Sequence, residues 1–321
     1  MMASPRRIVL AYSGDLETSR AMSWLHARYD AEVVTVTMDL GQGHELEEIR
    51  DRALAAGALR AHVLDLREAF ARDFVVPALK ADAAHDDRRP TAAALSRPLI
   101  AQQLVEIAGI EQAGAVAHGG LGRGDGWSRV AVATRALNPA ITVLAPDRES
   151  DVTGAEALLP VRERTGPLPM TANGAYRVEA NLWGRAIERA PAEGQWSAPP
   201  EEVYSMTEAP VSRAGEPASV DVGFEHGEPV AINGVPMPLL DLIASLNTIA
   251  GAHGVGRRDL LQRRPPETSR AAYEAPAAVV LLAAHQELQH LVTCRDVQRF
   301  WPAVTAQYAD LIHTGGWFAP L

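Results

Sequence analysis

Cysteine occurs once in this chain, at Cys294, which excludes a disulfide framework and a cysteine-based zinc site. Lysine also occurs once, at Lys80, so Schiff-base or lysine acid–base chemistry would rest on one residue that reads as part of a solvated helix face. Long apolar runs are missing. The longest, Ala277 to Ala284, is far too short to span a bilayer, and Met1 to Arg7 leads into a strand with polar residues rather than a signal-type apolar region. Positive charge is in deficit, with a formal net charge of −10, which argues against a nucleic-acid surface because a polyphosphate backbone is bound by a basic stripe. A compact nucleotide site is compatible with that balance. A cytoplasmic protein with no nucleic-acid and no membrane partner is the simplest account.

Core-forming residues, by contrast, are plentiful: 47% of the 321 residues are apolar and 22% charged, enough for a large core and for two domains. Short apolar runs at 8–12, 32–37, 61–65, 114–117 and 141–144 read as strands, separated by helical patterns at 20–29, 46–56 and 95–107. This alternation predicts an α/β fold whose N-terminal part is a parallel sheet with helices on both faces. Ligands of such sheets bind at the carboxyl ends of the strands, here at Ser13-Gly14, Asp39 and His118-Gly119. From Asp147 to Ala175 the pattern turns to loops, so the boundary is placed near Leu168, giving domains 1–167 and 168–321. The second reads as α+β: Ser219–Asn233 alternates as strands with a turn near His226-Gly227, and helices are expected over 238–252, 278–291 and 298–312.

The segment Ile8 to Ser19 is the most informative stretch: a buried-type strand, a small-residue turn, then a helix start carrying hydroxyls. Backbone N–H groups at a helix N-terminus carry the positive end of its dipole, and Ser13, Thr18 and Ser19 add donors, so a pyrophosphate fits there. An ordinary strand-to-helix turn with a serine cap gives the same pattern.

The turn resembles the Ser-Gly-Gly-x-Asp-Ser/Thr loop of the N-type ATP pyrophosphatases, and the words around it resemble the argininosuccinate synthase family. They are Ala11-Tyr12-Ser13-Gly14, Asp39-Leu40-Gly41-Gln42-Gly43, Ala117-His118-Gly119, Asn181-Leu182-Trp183-Gly184-Arg185 and His253-Gly254-Val255-Gly256-Arg257. Ser269-Arg270, Tyr273-Glu274-Ala275-Pro276 and Gly316-Trp317-Phe318-Ala319-Pro320-Leu321 continue the series in family order to the end of the chain. The resemblance implies an N-terminal nucleotide-binding domain of the adenine nucleotide alpha hydrolase kind and a C-terminal α+β synthetase domain. It also implies a C–N ligase that moves AMP from ATP onto an acceptor oxygen, releases pyrophosphate, and lets an amine displace AMP. Ala11, Tyr12, Ser13, Gly14, Thr18 and Ser19 would then line the ATP phosphates, Met38 would face adenine, and Gly119 would pass close to the nucleotide. Mg2+ would be held largely by phosphate and water. The partners implied are a ureido or carbonyl acceptor, an amine, and further copies of the chain; the arm with which family members continue past the last word is not in this sequence.

The departures from the family pattern are concentrated at the implied site. Asp15 stands where the family has a second glycine, and Glu17 where it has aspartate. A carboxylate about 4 Å from a phosphate charge costs about 4 kcal/mol at an effective dielectric near 20, or about three decades of affinity, unless a metal ion lies between them. In the implied aspartate pocket, Leu121, Asp125 and Gly126 replace threonine, asparagine and aspartate, and Trp127 adds bulk. In the implied citrulline pocket, Arg89, Arg177, Ala186 and Gln262 replace tyrosine, serine, serine and glutamate, while Arg129 and Tyr273 match. Arg129 reads as a bidentate clamp for a carboxylate, or as a solvated helix residue. Arg89 and Arg177 read as surface charges, or as the marks of a more acidic substrate. These changes lead to the expectation of a ligase that has changed both acceptor and amine, with Asp15 and Arg129 as the residues closest to the chemistry. A genuine argininosuccinate synthase and a non-catalytic nucleotide- or partner-binding relative are the alternatives.

Overall fold

The computed structural model describes residues 5–43, 46–85, 89–118, 126–146, 176–189, 199–209, 217–264 and 267–319. In chain order the strands are β1 Arg7–Ala11, β2 Glu32–Asp39, β3 Arg60–Asp65, β4 Ala84–His85, β5 Arg89–Pro90, β6 Ala115–His118 and β7 Thr142–Leu144. They continue with β8 Tyr176–Asn181, β9 Gly184–Arg189, β10 Val222–Glu225, β11 Glu228–Ile232, β12 Val235–Pro236, β13 Arg257–Arg264 and β14 Glu267–Glu274. Two compact units result, one of Met1–Leu66, Ser96–Met170 and Thr314–Leu321, the other of Arg67–Leu95 and Thr171–His313. The boundary expected near Leu168 lies outside the described residues, as do the loops expected from Asp147 to Ala175.

The first unit is a five-stranded sheet in the order β3-β2-β1-β6-β7, and each of its strand pairs is parallel. Because successive side chains of a strand point to opposite faces, β1 feeds two cores at once. Ile8, Leu10 and Tyr12 pack with Met22 and Leu25 of α1 (Leu16–Tyr29) and with Ile49 and Ala53 of α2 (Leu46–Ala55). On the other face Val9, Val34, Val36 and Val116 pack with Leu104 and Ile107 of the helix Ala92–Ile110 and with Val130 and Ala133 of the helix Gly126–Leu137. A fully buried Leu, Ile or Val contributes about 1.5–3 kcal/mol, so this two-sided burial fixes the register of β1 strongly.

Strand order reverses direction between β1 and β6, which are neighbours in space with Ala11 opposite His118 although they are distant in sequence. A crevice forms at such a switch point beyond the carboxyl ends of the strands, and the Ser13-Gly14 turn leaves β1 there.

The second unit holds a four-stranded antiparallel sheet in the order β13-β14-β9-β8 and a three-stranded sheet β10-β11-β12. Its helices include Leu239–Ala252, Pro276–Val292 and Arg295–Thr314. The β10–β11 hairpin turns at His226-Gly227, both with positive φ, as the alternation predicted. The antiparallel sheet was not legible beforehand. Among the described residues no helix is long and apolar enough to cross a membrane.

At the N-terminal end of the parallel strands lies Glu111, with 2% of its surface exposed. Its carboxylate accepts from Arg60 Nη1 at 3.1 and 3.2 Å, lies 2.9 Å from His62 Nε2, and is 3.5 Å from Arg7 Nη1. Burial pushes the Glu111 carboxyl up, but the bonds to His62 and Arg60 outweigh it and hold the group below its ordinary range. A depressed carboxyl stabilises the fold above its unfolded pKa, and the contribution disappears as pH falls through the folded value. Glu111→Gln should therefore lose about 1–2 kcal/mol at neutral pH, discounted because Arg60 is largely solvated. Chemical denaturation should show that deficit shrinking as the pH falls below the ordinary glutamate value of 4.5.

Candidate active site

Beyond β1 the chain takes one more ladder bond, Tyr12 N–H to Val36 O at 2.9 Å, and Thr37 Oγ1 donates to Tyr12 O at 2.9 Å. The turn follows at Gly14, whose φ of +78° is strained for any residue with a Cβ. A Cβ there would lie 3.0 Å from two Ile49 carbons and 3.1 Å from Arg52 Nη1. Arg52 donates to Gly14 O at 2.8 Å, so α2 grips the turn from below with a cation.

Helix α1 begins at Leu16 rather than near Arg20, and its cap is Asp15 rather than a serine. With φ −80° and ψ 176°, Asp15 is extended, and its Oδ1 accepts from Thr18 N at 2.7 Å and from Thr18 Oγ1 at 2.8 Å. Its Oδ2 accepts from Ser13 Oγ at 2.8 Å, and its backbone carbonyl accepts from Ser19 N–H at 3.1 Å and Ser19 Oγ at 2.8 Å. The residue expected to clash with a phosphate is thus the organiser of the turn, drawing to itself the Ser13 and Thr18 hydroxyls that the resemblance assigned to phosphates. Three of the roughly four acceptor positions of the carboxylate are filled, leaving one on Oδ2. Ser19 Oγ also pairs with Tyr12 Oη at 2.9 Å; burial pushes the Tyr12 phenol up, against the opposing effects of that bond and of Arg52, so it remains protonated.

Met38 is buried near the end of β2, and its carbonyl accepts from Gln42 Nε2 at 2.6 Å. The word Asp39 to Gly43 folds on itself, Gly41 N–H reaching Asp39 Oδ1 at 2.8 Å and Leu40 N–H reaching Gln42 Oε1 at 2.7 Å. His118 ends β6 with 2% exposure, and its Nε2 is buried with no partner among the described residues. Burial first, and the charge of Arg97 second, push its pKa down to about 4, so the ring is neutral and adds no charge to an anion site. Arg97 is itself buried on the helix Ala92–Ile110. Neither Arg52 nor Arg97 was singled out from the sequence. The available signal was an arginine on the buried stripe of its helix: Arg52 falls between Ile49 and Ala53, and Arg97 among residues of a strongly apolar segment.

Of the implied substrate residues, Arg129 lies in the first unit, where only 9% of it is exposed, which rules out the solvated reading. Gly315, immediately before the C-terminal word, approaches its main chain so closely that a Cβ there would lie 2.6 Å from Arg129 Cα. Ala186 and Tyr273 lie in the second unit and are brought directly opposite one another on β9 and β14. Arg89, Arg177 and Gln262 are on β5, β8 and β13, with side chains outside the described part. Gly119, Leu121 and Asp125 lie outside the described residues, and so does the side chain of Trp127.

Residues 7–165 match the family model described as the arginosuccinate synthase N-terminal HUP domain, and residues 176–321 match the arginosuccinate synthase C-terminal domain. The argininosuccinate synthase of Rubrobacter xylanophilus is 44% identical over 321 residues, covering 100% of this chain and 78% of the relative. That of Streptococcus thermophilus is 43% identical over 318 residues, covering 99% and 79%, and that of Geobacillus kaustophilus is 42% identical over 322 residues, covering 100% and 79%.

The position of Asp15 yields a direct test. Asp15→Gly frees two hydroxyls and removes a carboxylate from the mouth of α1 at the cost of a cap, which amounts to only a few tenths of a kcal/mol for glycine. ATP affinity measured by titration calorimetry should rise about tenfold or more. A fall would mean instead that the open Oδ2 position serves the bound nucleotide through its metal ion.

Proposed function

Because the chain belongs to the argininosuccinate synthase family, we propose that it joins citrulline to aspartate at the expense of ATP. Members of this family are ATP-dependent C–N ligases that form AMP and pyrophosphate. The single observation that carries the finer reading is that both family domains match in order along the chain, at 42–44% identity to proteins named for that reaction. This favours the genuine synthase over a ligase with both substrates changed, the reading to which the pocket substitutions first led.

A ureido carbon is a poor electrophile. Adenylation of its oxygen forms an O–P bond as the α–β phosphoanhydride breaks, and attack by the aspartate amine then forms C–N as AMP departs. The protein's part is to hold reactants in line and to stabilise charge. The N-terminal turn of α1 supplies oriented N–H groups for phosphate, Arg52 adds a cation beside Gly14, and Arg129 clamps a carboxylate. Mg2+ would neutralise phosphate charge in this scheme. Its ligands in this scheme would be mainly phosphate oxygens and water. A homo-oligomer working in the cytoplasm belongs to the same proposal.

One observation favours a second reading, in which the acceptor has changed. Ala186, opposite Tyr273 and 9% exposed, offers a methyl where the resemblance has a hydroxyl. A site built to bond a substrate group discriminates sharply once the partner is missing.

The deciding experiment is pyrophosphate release from ATP and Mg2+ by the purified protein, with citrulline and aspartate and then with a panel of ureido, amide, carboxylate and amine compounds. Release that requires both citrulline and aspartate is the expected result. Release only with other pairs would replace the acceptor and the amine, and silence with no ATP binding would overturn the ligase reading.

A further inference from the structure

Three words of the chain, Asn181 to Arg185, His253 to Arg257 and Tyr273 to Pro276, carry residues that the reaction scheme leaves without a role. In the second unit they converge on the carboxylate of Glu274, which is completely buried. Its Oε1 accepts from Met206 N at 2.9 Å and Thr207 Oγ1 at 2.7 Å, and its Oε2 from Ser205 N at 3.1 Å and from Arg185 Nη1. Four donors fill the acceptor capacity of a carboxylate, so the charge is buried but fully compensated. Arg257 completes the cluster. It stacks 4.0 Å over the Tyr204 ring, donates to Thr207 Oγ1 at 2.6 Å and Thr207 O at 2.7 Å, and pairs with Glu201 at 2.7 Å. The segment 201–207 is therefore tied to strands β9, β13 and β14 through side chains rather than through a ladder.

The placement of this cluster follows from strand geometry. Glu274 is opposite Arg185, and the next pair along, Tyr273 opposite Ala186, faces the other side of the sheet. The buried pair thus clamps one face while the other presents the two residues assigned to the acceptor. Gly184 closes the arrangement: at φ +154° its missing Cβ would lie 2.7 Å from Glu274 O and 2.8 Å from Ala275 Cβ. Slippage by one residue would turn Tyr273 away from that face, and the Arg185–Glu274 pair opposes it.

We propose that Glu274 is a positioning residue for the acceptor substrate, fixing through Arg185 and the segment 205–207 the register that sets Tyr273 beside Ala186. The inference rests on the reading of Tyr273 and Ala186 as acceptor-facing. It also gives residues of three words a common role: Arg185 bonds the Glu274 carboxylate, Arg257 reaches it through Thr207 Oγ1, and Gly184 leaves room for the Glu274 main-chain oxygen.

The test combines kinetics with a signal that needs no turnover. In Glu274→Gln, KM for citrulline should rise about tenfold to a hundredfold with a much smaller change in kcat, and ATP affinity by direct titration should stay unchanged. In protein labelled with fluorotyrosine, the Tyr273 resonance, assigned by its loss in Tyr273→Phe, should move while that of Tyr12 does not. An unmoved Tyr273 resonance, an unchanged KM, or a parallel loss of ATP affinity would overturn the proposal. If Glu274→Gln does not fold, Thr207→Val removes one donor and leaves the ion pair. It should then give smaller changes of the same kind, and no change would be equally decisive. Should the parent protein fail to turn over citrulline with aspartate, the proposed function falls on that result alone, and the Tyr273 resonance decides the positioning role.

Discussion

Strand β1 is paired on both edges, to β2 and to β6, and packed on both faces, and what happens at its carboxyl end depends on that double constraint. A strand held this way has no freedom of register, so the turn at Ser13-Gly14 emerges at a fixed point where the sheet order reverses. The turn can then be tight, because α2 supplies Ile49 as a wall and Arg52 as a bond to the carbonyl of Gly14. Helix α1 starts immediately with Asp15 as its cap, so the positive end of its dipole lies beside the turn.

Within that frame the acid at position 15 changes the meaning of the loop. A second glycine would leave the hydroxyls of Ser13 and Thr18 available to a ligand, whereas Asp15 gathers them into a capping network of its own. The gain is a firm helix start, and the cost is negative charge at the mouth of α1. Glu17, in the first turn of the same helix, adds to the acidity.

Buried glutamates organise each unit in the same physical way. Glu111 in the first and Glu274 in the second are almost inaccessible to water, and each is surrounded by arginine and further donors. Neither is favourable as an isolated charge; each becomes tolerable because its acceptor positions are filled. The consequence is directional. Such a carboxylate specifies which elements meet, since a mispaired arrangement would leave a bare charge in the interior.

Much of the parallel sheet was legible in the residues themselves. Strands such as β2, with six consecutive buried residues, read as continuous apolar runs, and the helices between them keep the helical period. The antiparallel sheet escaped because β13, Arg-Arg-Asp-Leu-Leu-Gln-Arg-Arg, and β14, Glu-Thr-Ser-Arg-Ala-Ala-Tyr-Glu, are charged and lack clean alternation, so only long-range pairing reveals them as strands. The resemblance marked Ser13, Gly14, Arg129 and Tyr273, yet not that Asp15 would cap its own helix, that Arg52 would hold the turn, or that Arg185 and the segment 205–207 would close around Glu274. Local pattern and motif order by themselves determined the class of fold, the family and the position of the tight turn after β1, because these depend on periodicity and short-range chemistry. Which charges are buried, what compensates them and which residues share a face were decided only by the tertiary structure, because desolvation and hydrogen-bond satisfaction depend on neighbours that are remote along the chain.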